Sequence, residues 1–190
     1  MAYLTLQQLE ELGFKQLGLN VKISDKASIY NADQMEIGDN SRIDDFCVVS
    51  GSVKIGRFVH IAPMCLVAGG EPGITFEDFS GLAYGVKVFT QSDDYSGESL
   101  TNPTVPAKFK KEKFASVTFG RHVIVGTNSV IFPGVQLAEG CSVGAMALVN
   151  KSTQPWGIYV GNPARRFKDR KKDLIELETK LNEEFEHDSI

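Results

Sequence analysis

The amino-acid sequence predicts an all-β fold, a parallel β-helix built from hexapeptide repeats, and three observations carry the prediction. Apolar residues recur every six positions, a small or β-branched residue follows most of them four positions later, and glycine often comes directly after the recurring residue. A period of six fits neither an α-helix nor an alternating strand. It is typical of a coil in which each repeat is one short strand and a turn.

The recurring apolar residues form three phased runs and predict the core. They are Ile37, Ile43, Val49, Ile55, Ile61, Val67, then Phe76, Leu82, Val88, and finally Phe119, Val125, Ile131, Leu137, Val143 and Val149. Each side chain is expected to point inward, where its burial contributes roughly 1.5–3 kcal/mol. Three hexapeptides make one turn, so these residues predict five coils stacked at about 4.8 Å, a prism roughly 24 Å tall.

The compact position four residues after each recurring residue predicts the corners of the coil. It is held by Ser41, Cys47, Val53, Val59, Cys65, Ser80, Val86, Val123, Ser129, Val135, Cys141 and Ala147. All three cysteines of the chain fall in this set, so we expect them to fill the core as free thiols in a reducing cytoplasm. Glycines at Gly38, Gly56, Gly126 and Gly144 indicate tight backbone bends directly after the strands.

Composition restricts the class of protein. The chain has 190 residues, 42% of them apolar, and a formal net charge of −4. This length predicts one domain with a substantial core, and the negative charge argues against general nucleic-acid binding. No apolar stretch is long enough to span a membrane, and the N-terminus lacks a signal-peptide pattern.

The chain divides into three predicted parts. Residues 1–18 form a helical cap, with a capping box at Thr5 and Gln8, because an open end of a β-helix needs a cover. Residues 19–155 form the β-helix, and residues 156–190 form a C-terminal segment with a helix from about Lys171 to Phe185. Between Val88 and Phe119 the step is 31 instead of six, which predicts a protruding functional loop over 89–118.

Three short motifs within this framework carry a family resemblance. They are Ile-Phe-Pro-Gly-Val at 131–135, Val-Gly-Ala at 143–145 and Gly-Asn-Pro-Ala-Arg at 161–165. With the phased hexapeptides and the loop, they resemble the left-handed β-helix acyltransferases. The nearest likeness is to the sugar O- and N-acetyltransferases, including the galactoside and maltose acetyltransferases and those that act on nucleotide-linked amino sugars.

This resemblance implies a left-handed parallel β-helix and a homotrimer with each active site in a groove between two prisms. Acetyl-CoA is the implied cosubstrate, and no metal is implied. The matching cofactor-binding positions are Thr127, Ala145, Asn150, Lys151, Pro163, Arg165 and Lys168. Arg165 and Lys168 fall where basic side chains meet the phosphates of CoA, for which the forked guanidinium of arginine is suited.

The catalytic base of the galactoside-type relatives is a histidine at the start of the loop, and this chain departs from that pattern. Asp93 stands at the matching position, followed by Asp94. A carboxylate suits an amine acceptor, because it binds an ammonium and then accepts a proton as the neutral amine attacks. His60, at a predicted corner one coil before the loop, is the third candidate base.

The acceptor site is predicted near the same coil. Tyr84, Gly85 and Tyr95 are the candidate substrate-binding residues, and the candidate oxyanion donor is a backbone N–H near Gly85 or on the neighbouring subunit. The resulting hypothesis is an acetyl-CoA-dependent enzyme that N-acetylates a nucleotide-linked amino sugar for surface polysaccharide biosynthesis.

Three alternatives remain open from the sequence. The first is O-acetylation of a sugar hydroxyl, which the absence of the loop histidine disfavours. The second is a zinc hydratase of the γ-carbonic anhydrase type, which needs three converging histidines, whereas only His60 and His122 lie in the predicted core. The third is a non-catalytic β-helix scaffold, which the long loop disfavours.

Overall fold

The computed structural model describes residues 2–187, with side chains through Phe185, and these residues form a parallel β-helix. Its helices are α1 (Leu6–Glu11) and α2 (Leu174–His187), with 3₁₀ turns at Ala32–Gln34 and Ala107–Phe109. The strands in chain order are β1 (Gln16–Leu17), β2 (Lys22–Ile23), β3 (Ser28–Tyr30), β4 (Met35–Ile37), β5 (Arg42–Ile43), β6 (Val48–Ser50), β7 (Val53–Ile55), β8 (His60–Ile61), β9 (Leu66–Ala68), β10 (Ile74–Phe76), β11 (Gly81–Leu82), β12 (Lys87–Phe89), β13 (Gln91–Ser92), β14 (Lys113–Phe114), β15 (Val117–Phe119), β16 (Ile124–Val125), β17 (Val130–Ile131), β18 (Gln136–Leu137), β19 (Ser142–Val143), β20 (Leu148–Val149), β21 (Gly157–Val160) and β22 (Arg165–Asp169).

Three sheets form the faces of the prism. Sheet 1 has the order β1-β4-β7-β10-β15-β18, sheet 2 the order β2-β5-β8-β11-β16-β19-β21-β22, and sheet 3 the order β3-β6-β9-β12-β17-β20. All neighbours in these sheets are parallel except β21 and β22. Sheet 2 thus has seven parallel strands, so the predicted five coils were too few. Strands before Ile37 and after Val149 extend the stack at both ends.

The hexapeptide core is confirmed. Each of the fifteen recurring residues is at most 3% exposed, and the twelve compact residues named above are all buried. The register stacks like positions on each other, so that Phe76 pairs with Phe119 and their rings lie 4.4 Å apart. At Gly38 a Cβ atom would lie 2.7 Å from the carbonyl carbon of Gly56 in the next coil. The glycine after the strand is therefore required by the close approach of successive coils.

The capping box at Thr5 and Gln8 is present at the start of α1. The Thr5 hydroxyl accepts a hydrogen bond from the Gln8 backbone N–H, and the Gln8 side chain accepts one from the Thr5 N–H. Leu9 is the buried residue of α1 and joins the core. The prism begins earlier than residue 19, because β1 already pairs with β4.

The C-terminal part differs from the prediction in two ways. The β-helix continues past residue 155, since β21 pairs with β19 and buries Tyr159, whose hydroxyl accepts from the Gln154 N–H at 2.7 Å. The predicted helix begins at Leu174 instead of about Lys171, and the basic run at 165–168 belongs to β22, which returns antiparallel to β21. In β21 the inward residue is the aromatic Tyr159, which lies outside the six-residue period of the aliphatic residues. The period alone therefore did not predict this strand.

The long loop leaves the prism after β12 and returns at β15. Its two ends pair as an antiparallel hairpin base, with Gln91 opposite Phe114 and Ser92 opposite Lys113. This pairing fixes the start of the loop against the corner between sheets 3 and 1. Within the described residues, none of the helices combines the length and the apolar character needed to cross a membrane.

Candidate active site

One corner of the prism carries a straight ladder of candidate residues. Tyr84, Thr127 and Ala145 occupy the same turn position in three successive coils, between sheets 2 and 3. Asn128 N–H donates to the Tyr84 carbonyl at 2.9 Å, and Met146 N–H donates to the Thr127 carbonyl at 2.8 Å. We call these three residues the corner ladder. It offers a long ligand a regular series of backbone and side-chain positions along the prism axis.

The motif at 161–165 continues the corner ladder toward the C-terminus. Leu148 N–H donates to the Gly161 carbonyl at 3.1 Å, and Ala164 N–H donates to the Leu148 carbonyl at 2.8 Å. The peptide bond before Pro163 is cis. These bonds place Pro163 beside the coil that contains Ala145.

Arg165 and Lys168 follow on β22 with exposed side chains. Arg165 Nη1 donates to the Ala164 carbonyl at 2.9 Å, which turns the guanidinium toward the motif. Asn150 and Lys151 are also exposed but follow β20 at the corner between sheets 3 and 1. Of the predicted cofactor residues, these two are therefore separated from the ladder by the width of sheet 3.

Gly85 has the conformation that its turn requires, but its N–H is occupied. Its φ is +68°, and a Cβ atom would lie 2.2 Å from the Asn128 Oδ1 atom. The Gly85 N–H donates to the Pro63 carbonyl at 3.0 Å. The backbone therefore closes the corner here, and the N–H of Gly85 itself is already paired within the chain.

Asp93 lies at the mouth of the long loop with its side chain partly buried. Its Oδ1 atom accepts from the Asn102 backbone N–H at a long 3.3 Å. Thr90, Pro103 and Glu112 are among the residues that line the surrounding cavity of about 420 Å³. A carboxylate with one weak partner at the wall of a cavity is able to bind an ammonium and accept a proton.

Asp94 points back into the loop instead. Its carboxylate accepts from the Ser96 backbone N–H at 2.9 Å and from the Ser99 hydroxyl at 3.0 Å. These hydrogen bonds, from Ser96 first and Ser99 second, lower the pKa of Asp94 to about 2. Asp94 thus stays ionised and orders the turn, which makes it a poor proton acceptor near neutral pH. Tyr95 beside it is 92% exposed.

His60 lies on the outer face of sheet 2, away from Asp93. Its Nε2 atom is 2.7 Å from the Oδ2 atom of Asp44, whose side chain is 2% exposed. His60 and Tyr84 line the same cavity of about 480 Å³, which Phe58 and Phe79 also border. The structure therefore brings His60 and Tyr84 together, while Asp93 lies in a different cavity of the same chain.

One polar cluster was missed by the sequence reasoning. His122 is 7% exposed, and its Nε2 atom lies 2.7 Å from the Glu178 Oε2 atom on α2. Arg121 also donates to the Glu178 carboxylate. This pairing fastens α2 to the corner between sheets 1 and 2, so His122 holds the C-terminal helix. The partners are 56 residues apart, and no local sequence signal connects them.

Comparisons with known proteins identify close relatives. A family model described as bacterial transferase hexapeptide (six repeats) matches residues 35–69. The dTDP-4-amino-4,6-dideoxy-D-glucose acyltransferase of Escherichia coli is 41% identical over 182 residues, which cover 94% of this chain and 94% of that protein.

Two solved structures of AntD, an N-acyltransferase from Bacillus cereus, share the fold. A mutant in complex with dTDP-4-amino-4,6-dideoxyglucose and coenzyme A has a TM-score of 0.95 at 44% identity, covering 96% of this chain and 98% of that one. The complex with dTDP and 3-hydroxybutyryl-CoA has a TM-score of 0.95 at 43% identity, covering 97% and 98%.

Proposed function

Because this chain belongs to the hexapeptide-repeat acyltransferase family, we propose that it transfers an acyl group from a CoA thioester to the amino group of a nucleotide-linked amino sugar. The observation that carries the proposal is the likeness over nearly the whole chain to the Escherichia coli acyltransferase named for such a sugar. The corner ladder and the cavity at Asp93 support it independently of that name.

The CoA arm is proposed to lie along the corner ladder. Thr127 and Ala145 stand in successive coils about 4.8 Å apart, and the cis Pro163 follows beside them. Arg165 and Lys168 are exposed next to this segment and supply positive charge for the CoA phosphates. Asn150 and Lys151 line the far corner, where in an oligomer they would face CoA bound to another protomer.

Asp93 is the proposed general base. The neutral amine of the sugar attacks the thioester carbonyl carbon, so that a C–N bond forms and the C–S bond breaks. Asp93 accepts the proton that the attacking nitrogen loses, and this proton passes to the departing thiolate. The products are an amide and free CoA. Asp94 is proposed to hold the loop so that Asp93 faces the cavity, and Tyr95 and Gly85 are proposed to border the acceptor.

A homotrimer is proposed because the candidate catalytic and substrate-binding residues lie in two different cavities of a single chain. Tyr84 belongs to the corner ladder and His60 shares its cavity, whereas Asp93 lies beyond sheet 3. Phe46, Met64 and Met146 project from this same corner with 58%, 64% and 70% of their surfaces exposed. Their burial against a second copy would bring Asp93 of one protomer toward Tyr84 of the next.

The acyl group and the cellular setting are narrower proposals. Acetyl-CoA is the proposed donor, and 3-hydroxybutyryl-CoA is the alternative that the Bacillus cereus complex provides. The three free cysteines favour a reducing cytoplasm as the site of action. The proposed product is an N-acylated nucleotide sugar for surface polysaccharide assembly.

The test is thiol release from each CoA thioester with a panel of acceptors. We expect turnover with dTDP-4-amino-4,6-dideoxyglucose and none with the corresponding sugar that carries a hydroxyl in place of the amine. Free galactosides serve as the control for galactoside-type acetylation. Turnover with hydroxyl acceptors alone would contradict the proposal.

A further inference from the structure

A row of basic side chains lies on the outer face of sheet 2. Lys22 pairs with Arg42, Arg42 pairs with His60, and His60 pairs with Gly81 in four successive coils. We call Lys22, Arg42 and His60 the basic row. Because the paired positions of parallel strands point to the same face, the row presents up to three cations along the prism axis.

A buried carboxylate fixes two members of the basic row. The Oδ2 atom of Asp44 accepts from Arg42 Nη2 at 2.9 Å and lies 2.7 Å from His60 Nε2. The other oxygen of Asp44 is buried and has no hydrogen-bond partner among the described residues. One oxygen therefore anchors both heads, and Arg42 Nη2 also lies 3.0 Å from His60 Nε2.

The charge of this patch is positive in an acidic chain. Lys22 is exposed and makes no hydrogen bond or ion pair through its side chain within the described part of the chain, and Arg42 is always charged. The buried carboxylate of Asp44 supplies one negative charge to balance these two positive charges. An excess of positive charge remains on this face although the whole chain has a net charge of −4.

The basic row borders a groove that leads to the candidate acceptor site. Asn20, Lys22, Asn40 and Arg42 line a cavity of about 350 Å³, together with Phe58 and His60. Phe58 and His60 also line the 480 Å³ cavity that contains Tyr84. Gly81 has no side chain above His60, so the two cavities follow each other along the face of sheet 2.

We propose that the basic row binds the diphosphate of the nucleotide-linked sugar, with the sugar directed toward Tyr84. The inference rests on the proposed function. It follows from the order of the coils along the prism axis. The proposed CoA positions lie in the coils after Tyr84, so the second substrate occupies the coils before it. Three coil steps from Gly81 to Lys22 span roughly 14 Å, which accommodates a hexose followed by a diphosphate.

The chemistry of the basic row suits this ligand. Arg42 and Lys22 neutralise two phosphoryl groups, with the guanidinium already oriented by Asp44. His60 lies beside Arg42 on the same face, with its ring held by Asp44. Arg170, in the adjoining cavity, is less suited because its Nη1 atom already donates to the carbonyls of His122 and Gly140. His60 is thus a binding residue, and the base is Asp93.

The experiment measures dTDP binding by calorimetry in the wild type, Lys22→Gln and Arg42→Gln. Loss of one charge-assisted contact should weaken dTDP binding about tenfold or more in each variant. CoA binding, measured on the same samples, should stay unchanged and shows that the prism is intact. Arg57→Gln is the matched control, because Arg57 pairs with Asp78 at another corner and its loss removes the same charge.

The outcomes separate this inference from the proposed function. Wild-type affinity for dTDP in both variants, in a protein that turns over the amino sugar, would overturn the inference and leave the proposed function standing. Absence of dTDP binding and of turnover in the wild type would overturn both. If Arg42→Gln fails to fold because Asp44 loses a partner, Lys22→Gln decides alone, since the Lys22 side chain has no hydrogen bond or ion pair to lose among the described residues.

Discussion

Replacing Asp93 with asparagine separates proton acceptance from geometry at the mouth of the long loop. Within the described residues, the one hydrogen bond to the Asp93 carboxylate is the 3.3 Å contact from Asn102 N–H, and an amide oxygen accepts that bond equally well. The Asp93→Asn variant would therefore keep the loop in place but could not accept a proton. General-base catalysis typically contributes 10²- to 10⁴-fold, so we expect kcat to fall by about that factor, or roughly 2.7–5.4 kcal/mol of transition-state stabilisation.

Asp94→Asn is the matched control for this experiment. Asparagine retains one acceptor for the Ser96 N–H and turns an NH₂ group toward the Ser99 hydroxyl, which is able to accept. We expect a loss of less than about tenfold, because the turn is preserved and the ordered loop loses only part of one interaction. The assay is thiol release at saturating CoA thioester and amino sugar, with KM measured for both substrates.

The refuting result is a reversal of this order. If Asp94→Asn abolishes turnover while Asp93→Asn retains it, Asp94 is the base and the assignment from hydrogen bonding is wrong.

The pH dependence of loop stability gives a second check on the role of Asp94. With a pKa of about 2, Asp94 stabilises the loop above the unfolded value of about 3.8, and this contribution is lost only as the pH falls toward 2. Loop protection from proteolysis should therefore stay constant from about pH 5 to 8.

The remaining predictions address the cofactor ladder, the C-terminal helix and the core. Ala145→Phe should raise the KM for the CoA thioester at least about tenfold without changing dTDP binding, because its exposed Cβ lies on the proposed CoA path; equal KM values would contradict the path. Glu178→Ala should lower the free energy of unfolding by about 1–3 kcal/mol, measured in urea, since His122 is left buried without its acceptor; unchanged stability would show that α2 does not need this contact. Phe119→Ala should cost about 3–5 kcal/mol because it leaves a cavity beside Phe76, and a smaller loss would mean that the coils collapse around it.

Much of the fold was predictable because the hexapeptide pattern is local. Each inward residue is recognised by its six-residue spacing from the next inward residue along the chain. The coil geometry then stacks such residues on each other, as it does Ile55 on Ile37. The pattern failed where this regularity ended. Tyr159 continues the core with a different residue type and phase, so β21 was not predicted.

The candidate site was only partly predictable, because its contacts join separate coils. The resemblance gave Thr127 and Ala145 as cofactor-binding positions, and in the structure both residues lie on one corner of the prism. Asp44 is 16 positions before His60, yet the coil brings its carboxylate within 2.7 Å of the ring. No motif in the sequence marks such a pair, since its geometry depends on the register between strands rather than on spacing within one.

The most direct test of the central claim is the chemical nature of the product. Wild-type protein is incubated with a CoA thioester and dTDP-4-amino-4,6-dideoxyglucose, and the product is analysed by mass spectrometry before and after treatment with hydroxylamine. The account predicts one added acyl group that resists hydroxylamine, because it is held as an amide. An acyl group that hydroxylamine removes would show an ester on a hydroxyl, and would contradict N-acyl transfer.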